Sequence, residues 1–288
     1  MSTVSELQRW QIALKNKWFV VYGLGLFALL TYVISITSPP SIDWEGAFYL
    51  AAQEVLHGRS PYNVINFLNV PWTLIPLLPL ALLPVRLGSA ILFLLNLSIY
   101  IYVAYRLGTR GVWIIVFLLA PPVIHSLYLG NIDAFSLLGF VLPPQIGLFF
   151  VLMKPQVGLI MGLFWFGEAW RSGGVRDVIR VFAPVGIALL LSILVFGNWM
   201  TPDRLDLQVN STWNASWWPW GIPFGLVLSV LSLRDQRREY AMAASPFLAP
   251  YVTHSSWVGV VTALLPRKLE LLVAVIGMWI VALVLLLK

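Results

Sequence analysis

Two isolated charged side chains, Asp43 and Lys154, are the strongest candidates for chemistry in this chain of 288 residues. Asp43 follows the first long apolar segment, and Glu45 lies two residues further on. A carboxyl group that is partly withdrawn from water has a raised pKa, which suits it to act as a general base near neutral pH. The alternative is that Ser41 or Asp43 caps a helix, because acidic side chains are favoured in a first helical turn.

Lys154 is the only charged residue between positions 134 and 167. A charged side chain in such apolar surroundings is costly, so we expect it to face a cavity or an anionic partner. The alternative is that its ammonium group reaches back to the membrane surface. Asp133 is similarly isolated, and its alternative role is to cap a helix that follows Gly130.

The histidines give a weaker signal. His254 stands near the outer end of a predicted hairpin, where a lone histidine is more often structural than catalytic. His57 and His125 lie far from it in the sequence. Because the spacing fits no set of metal ligands, we expect no metal site.

The composition excludes several classes of protein. Hydrophobic residues make up 59% of the chain and charged residues 10%, and the mean hydropathy is +0.85. A soluble domain has about 25% charged residues, so a soluble enzyme is excluded. The net charge is +6, but the basic residues form short clusters between apolar runs. This arrangement is typical of membrane proteins and argues against a nucleic-acid partner. The absence of cysteine excludes disulfides and thiolate chemistry.

Apolar runs broken by proline predict an all-α polytopic membrane protein, with one transmembrane domain over residues 1–288. We expect roughly 10–12 membrane segments, several of them short or broken. Residues 1–17 are predicted to be a cytoplasmic N-terminus, and 18–37 the first span. The first outer loop, 38–70, contains a predicted helix over 43–58 that would lie along the membrane surface. The remaining predicted segments are 87–105, 111–129, 132–170 with two breaks, 178–196, 222–233, 241–253, 256–265 and 269–287.

The positions of the basic residues predict the orientation of the chain. With the N-terminus inside, 13 lysines and arginines lie on the inner side and 5 on the outer side. This distribution satisfies the positive-inside rule only if the proline-rich segment 71–84 does not cross the membrane. The segment with Asp43, the turn from Gly130 to Asp133 and the start of the helix after Lys154 then meet at the outer face. We expect them to line a cavity there, covered by the tryptophan-rich outer loop 197–220.

Several segments, in this order, resemble the polytopic glycosyltransferases of family 87, which are mannosyltransferase-like enzymes with the GT-C architecture. They are Asp43 to Tyr49, Gly58 to Tyr62, the proline-rich segment 71–84, Leu129-Gly130-Asn131, Met153-Lys154-Pro155-Gln156, and the stretch from Ser245 to Tyr251. The likeness covers most of residues 18–266. The chain is short for this family, and Asn131 stands where the family tends to have glutamine. The link between the helices near Asn131 and Lys154 is compressed to little more than Pro143-Pro144.

The resemblance implies a GT-C-like bundle that transfers a sugar, a hexose such as mannose, from a polyprenyl-phosphate donor to an acceptor hydroxyl with inversion. Asp43 would be the general base, and a cation such as Lys154, with His254, would stabilise the phosphate leaving group. The other implied substrate-binding residues are Asn131, Asp133, Glu45, Tyr49 and Tyr62. No cofactor is implied beyond the lipid-linked donor.

One alternative function is a catalytically inactive, GT-C-like structural or accessory subunit of a membrane assembly, which the short chain favours. A transporter would need inverted repeats and paired intramembrane charges, and the sequence gives neither signal. A flippase for lipid-linked sugars stays open. The expected partners of the enzyme are membrane lipid, the polyprenyl-phosphate sugar and a glycan or glycolipid acceptor. The expected location is the plasma membrane of a prokaryote, with the active site on the outer face.

Overall fold

The computed structural model describes residues 17–199 and 201–286, and these ranges contain helices and turns but no β-strand. The α-helices are α1 (Lys17–Thr37), α2 (Tyr49–Leu56), α3 (Leu78–Ala81), α4 (Val85–Arg106), α5 (Val112–Leu118), α6 (Pro121–Leu129), α7 (Asp133–Gly139), α8 (Pro144–Val151), α9 (Pro155–Phe196), α10 (Pro202–Val209), α11 (Ile222–Asp235), α12 (Arg238–Leu248), α13 (Val258–Ala263) and α14 (Lys268–Leu286). The predicted cytoplasmic segment lies outside the described residues, except for its last residue, Lys17.

Three helices, α1, α4 and α9, are long and apolar enough to cross a membrane. The bent pair α5 and α6 would make a fourth span if it crosses as one unit. Apart from α14, which has 19 residues, the other α-helices of the described part have 4 to 14 residues. The all-α membrane class is therefore supported, with fewer full-length spanning helices than the roughly 10–12 expected segments.

Helix α9 consists of two arms that fold back on each other. Gly173 and Gly174 depart from helical geometry, and Gly174 has a φ of +60°. The rings of Phe166 and Phe182 lie 5.9 Å apart, although 16 residues of straight helix would separate them by about 24 Å. Each arm has about 20 residues, which is the length of a membrane-crossing helix. The second arm contains the predicted span 178–196.

Prolines determine where the other helices break. The segment predicted as one span over 111–129 is not one continuous helix, because the chain bends by 63° between α5 and α6. Pro121 begins α6, and a proline cannot continue a preceding helix because its ring and missing N–H break the hydrogen-bond ladder. The predicted breaks within 132–170 are confirmed, since α8 begins at Pro144 and α9 at Pro155.

The proline-rich segment 71–84 begins and ends beside the same helix. It consists of a 3-10 turn, Pro71–Leu74, and the short helix α3. Near its end, the Tyr49 hydroxyl donates to the Leu83 carbonyl at 3.4 Å. Just before its start, Phe67 packs edge-on against Phe48, with ring centroids 6.4 Å apart. The two ends of the segment therefore lie close together, and its placement relative to the membrane stays a prediction.

The predicted helix over 43–58 is present as a π-helical turn, Trp44–Phe48, followed by α2. Its apolar face is buried: Phe48, Ala51 and Ala52 have 4%, 0% and 0% of their surface exposed. This face packs against the protein interior. The placement of the helix relative to the membrane surface stays a prediction.

Candidate functional site

A cavity of about 330 Å³ lies between the segment that follows α1 and the starts of α7 and α9. Asp43 and Lys154 both line it, although 111 positions separate them in the sequence. The exposed apolar side chains of Ile42 and Trp213 contribute to its lining. The other lining residues that carry side-chain hydrogen-bonding groups are Asn66, Asn69, His125, Asn131, Gln156, Gln208, Tyr251, Thr253 and His254.

Gly130 brings the turn after α6 into close contact with the segment that holds Asp43. It ends α6 in the left-handed conformation, with a φ of +68°. A Cβ at this position would lie 2.9 Å from Cβ of Trp44 and 3.1 Å from Cβ of Ser41, so a larger residue would push the two segments apart. The next residue, Asn131, thereby comes within reach of Asp43.

Asn131 fixes the position of the Asp43 carboxylate. Its Nδ2 donates to Oδ2 of Asp43 at 2.5 Å. Asn131 is itself held at two points: its Oδ1 accepts from the backbone N–H of Ile132 at 2.7 Å, and its carbonyl accepts from Nδ2 of Asn96 at 2.7 Å. Oδ1 of Asp43 makes no hydrogen bond within the described residues and is left for a ligand. Asp43 also makes no side-chain cap to the π-helical turn, so the capping alternative does not describe it.

Burial raises the pKa of the Asp43 carboxyl above its ordinary value, and the charge of Asp133 raises it further. The ammonium group of Lys154 and the hydrogen bond from Asn131 act in the opposite direction, but burial outweighs them. A carboxylate whose pKa is raised holds a proton more readily than an ordinary aspartate. The group is thus better suited to accept a proton near neutral pH.

Lys154 forms a buried ion pair with Asp133, and the exposed fractions of the two side chains are 5% and 0%. Its Nζ lies 2.8 Å from Oδ1 of Asp133 and 3.4 Å from Oγ of Ser256. The hydroxyl of Ser256 donates to the same Asp133 oxygen at 3.2 Å. An ammonium group has three N–H donors, so one is left for an acceptor in the cavity. The anionic partner expected for Lys154 is therefore Asp133, and a capping role for Asp133 is not observed.

Two histidines from distant parts of the chain meet at the cavity. His125 belongs to α6 and His254 to a 3-10 turn, His254–Trp257, and their rings lie 5.8 Å apart at 81°. Both side chains line the cavity with Asp43 and Lys154. Nδ1 of His125 is buried and has no hydrogen-bond partner among the described residues. A buried ring nitrogen without a partner is unfavourable unless water or a ligand satisfies it.

The tryptophan-rich loop forms one wall of the cavity. Asn214 ties this loop to the segment before α13, because its side-chain amide donates to the carbonyls of Val209 at 2.9 Å and Pro250 at 3.0 Å. The loop thereby holds Trp213 beside Tyr251, and both residues line the cavity. Burial raises the pKa of Tyr251 to about 12, so its phenol stays protonated at neutral pH.

Four of the predicted substrate-binding residues do not line the cavity: Asp133, which is paired with Lys154, and Glu45, Tyr49 and Tyr62. Glu45 accepts a hydrogen bond from the backbone N–H of Ser41 at 3.1 Å, which is the role of an acid at a helix start. Tyr49 packs edge-on against Trp44, with ring centroids 5.6 Å apart. Tyr62 is stacked on Trp199, with ring centroids 5.6 Å apart.

Comparison of the chain with protein-family models, curated proteins and solved structures found no match. The site is therefore interpreted from its own geometry. Within residues 17–199 and 201–286, no three histidine, aspartate or glutamate side chains are grouped so that they could hold a metal ion.

The sequence alone did not identify His125 or Tyr251 as residues of the site, and it indicated Trp213 only as part of the tryptophan-rich loop expected to cover the cavity. Each is a single polar or aromatic residue within an apolar helix or loop, and no local spacing connects it to Asp43. His125 and His254 are 129 positions apart, so only the packing of α6 against the 254–257 turn brings their rings together. The isolation of both histidines in apolar sequence was the one signal available.

Proposed function

We propose that this protein is a membrane glycosyltransferase that moves a sugar, a hexose such as mannose, from a polyprenyl-phosphate donor to an acceptor hydroxyl. The observation that carries the proposal is that Asp43 and Lys154 line one cavity. This transfer requires a base that accepts the hydroxyl proton and a cation that stabilises the phosphate leaving group, both in one site. The cavity of about 330 Å³ is at the small end of the range of about 300–1,000 Å³ for ligand sites, so it would hold the sugar and phosphate but not the prenyl chain.

In the proposed reaction, Asp43 accepts the proton of the acceptor hydroxyl through Oδ1. The hydroxyl oxygen bonds to the anomeric carbon from the face opposite the phosphate, and the bond from that carbon to the phosphate oxygen breaks. The electron pair leaves with the phosphate, so the configuration is inverted. Negative charge moves from Asp43 to the leaving group during this step.

Lys154 is suited to stabilise that developing charge. Its third N–H donor is available to a phosphate oxygen, while Asp133 and Ser256 hold the other two in fixed directions. A donor that is already oriented does not need to reorganise as the bond breaks. The exposed side chains of Ile42 and Trp213 would contact the first part of the prenyl chain.

The proposal places the N-terminus in the cytoplasm and the cavity at the outer face of a prokaryotic plasma membrane. Donor specificity for a lipid-linked sugar follows from this placement, because nucleotide sugars are confined to the cytoplasm. Contacts between segments agree with the division of basic residues into two sides. Nη1 of Arg86 donates to the carbonyl of Ser38 at 3.0 Å on the outer side, and Nη1 of Arg171 donates to that of Leu233 at 3.0 Å on the inner side.

The experiment measures transfer from radiolabelled polyprenyl-phosphate mannose by the purified protein in lipid nanodiscs, against a panel of glycan and glycolipid acceptors. Asp43→Asn is expected to lower turnover by about 10²–10⁴-fold, which is the usual contribution of a general base. Asp203→Asn is the matched control, since Asp203 is an exposed acid in α10 that does not line the cavity. Full activity of Asp43→Asn would refute the role of Asp43.

A second candidate function is an inactive accessory subunit of a membrane assembly. The buried Lys154–Asp133 pair favours it, because an ammonium group already paired with a carboxylate can serve stability alone. In that case wild-type protein would show no turnover with any acceptor. It would also co-purify with a partner protein whose activity requires it.

A further inference from the structure

The carboxyl groups at and behind the cavity wall oppose the entry of an anionic ligand. Asp43 and Lys154 line the cavity, and Asp133 lies directly behind Lys154. With both carboxylates ionised and the histidines neutral, these three groups sum to a charge of −1. A phosphate-bearing lipid would bring a further negative charge into a partly buried site, and like charges at such distances repel strongly.

His125 and His254 are the groups that can change this balance near neutral pH. Imidazole is the side chain whose charge ordinarily changes between pH 5 and 8. The chain has three histidines, and two of them line this cavity with their rings 5.8 Å apart. Two imidazolium ions at this separation would repel each other, so the pair is expected to take up one proton rather than two.

The titratable and charged groups that surround the pair come from several elements. Tyr100 of α4 donates its hydroxyl hydrogen to Oγ of Ser126, the residue next to His125, and its ring packs away from the cavity against Phe117. Asp43 is the carboxyl group of the cavity lining that competes with the histidines for a proton. The surrounding groups are Asp43, Tyr100, Asp133, Lys154 and Tyr251.

We infer that His125 and His254 form a proton-accepting pair that takes up one proton when a lipid phosphate enters the cavity and then binds its phosphate oxygens together with Lys154. This inference rests on the proposed function and adds His125 to the site. The buried Nδ1 of His125, which has no partner within the described residues, then donates a hydrogen bond to a phosphate oxygen. Proton uptake on binding leaves Asp43 ionised and able to act as the base.

The test measures proton uptake when the purified protein in nanodiscs binds farnesyl methyl phosphate. This phosphodiester carries one permanent negative charge and does not itself titrate near neutral pH, so any proton must enter the protein. Calorimetry in two buffers of different ionisation enthalpy gives the number of protons. We expect uptake of about half to one proton at pH 7.5, and a Kd that rises up to about tenfold per pH unit above that.

Five variants assign the proton. The double variant His125→Gln and His254→Gln is expected to lose the uptake and the pH dependence of Kd, while each single variant loses part of it. His57→Gln is the matched control, because His57 is exposed at the end of α2, does not line the cavity and bonds to the Gln53 carbonyl at 2.6 Å. Asp43→Asn tests whether the proton goes to the Asp43 carboxyl instead. This variant is expected to retain the proton uptake.

Wild-type binding without proton uptake would overturn the inference, and that measurement needs no variant that must fold. Uptake that persists in the folded double variant, or that disappears in Asp43→Asn, would also overturn it. Failure of the inference leaves the proposed transfer reaction intact, because that reaction is tested by turnover. Proton uptake without any turnover would instead support a binding site for lipid phosphate and count against the enzyme.

Discussion

Replacement of Lys154 by methionine is expected to destabilise the protein strongly, because it leaves Asp133 as a buried carboxylate with no cation. The side chain of Asp133 is 0% exposed, and its second oxygen, Oδ2, already has no hydrogen-bond partner among the described residues. At 2.8 Å and an effective dielectric constant of about 20, the attraction between the pair is about 6 kcal/mol. The usual net cost of breaking a buried pair is about 3–5 kcal/mol.

The assay is a thermal melt of purified protein in one detergent, combined with a double-mutant cycle. A loss of about 3–5 kcal/mol corresponds to a fall in Tm on the order of 10 °C for Lys154→Met. Asp133→Asn is expected to cost less, because Lys154 borders the cavity and its ammonium group can be hydrated there. Adding Asp133→Asn to Lys154→Met is expected to restore much of the lost stability, since no buried charge then remains.

Two results would refute this reasoning. If Lys154→Met melts within about 2 °C of wild type, the pair is not buried as described, because a shift that small is less than about 1 kcal/mol. If the two substitutions have additive effects, the side chains do not interact. Either result would also contradict the proposed role of Lys154, because that role requires Asp133 to hold the ammonium group in a fixed position.

Two further predictions concern the site acid and the packing of the helices. Burial raises the pKa of Asp43 in the folded state, so protonation stabilises the fold at low pH and this contribution is lost as the pH rises through the folded-state pKa. Asp43→Asn is therefore expected to melt above wild type at pH 7.5 and level with it near pH 4; a difference in Tm that does not change with pH would contradict this. Gly147→Ala would place a Cβ 2.6 Å from Cη2 of Trp165 and 2.7 Å from the Gly139 carbonyl oxygen, and should cost about 1–3 kcal/mol in a thermal melt. Gly186→Ala is its control, since a Cβ there meets nothing within 4 Å, and it is expected to be neutral or slightly stabilising.

Local breaks in the chain could be predicted from the sequence because proline and glycine act within one or two residues. Pro144 and Pro155 begin helices where the sequence placed breaks, and Gly58 lies just beyond the end of α2. The bend at Pro121 was not predicted, because 111–129 has the length and hydropathy of a single span. The reversal at Gly173-Gly174 lies between two correctly predicted apolar segments.

Roles that depend on partners could not be predicted in the same way. Glu45 and Asp43 are both acids in one short segment, yet Glu45 bonds to the backbone of its own helix start, and Asp43 bonds to Asn131 across 88 positions. Lys154 was expected to face either a cavity or an anion, and it does both. The partners of these charged side chains depend on which helices pack together, and a single sequence does not indicate which helices do so.

The sequence by itself determined the helical class, the apolar character of the segments and the positions of the rare charges, because the cost of burying a charge or breaking a helix is a local property of residue type. The tertiary structure alone decided that Asp43, Lys154, His125 and His254 line one cavity, and that Asp133 takes up one donor of Lys154. Contacts of this kind join segments that are on the order of 100 residues apart. These contacts form only when whole helices pack together, and each charged residue makes only a small contribution to that packing.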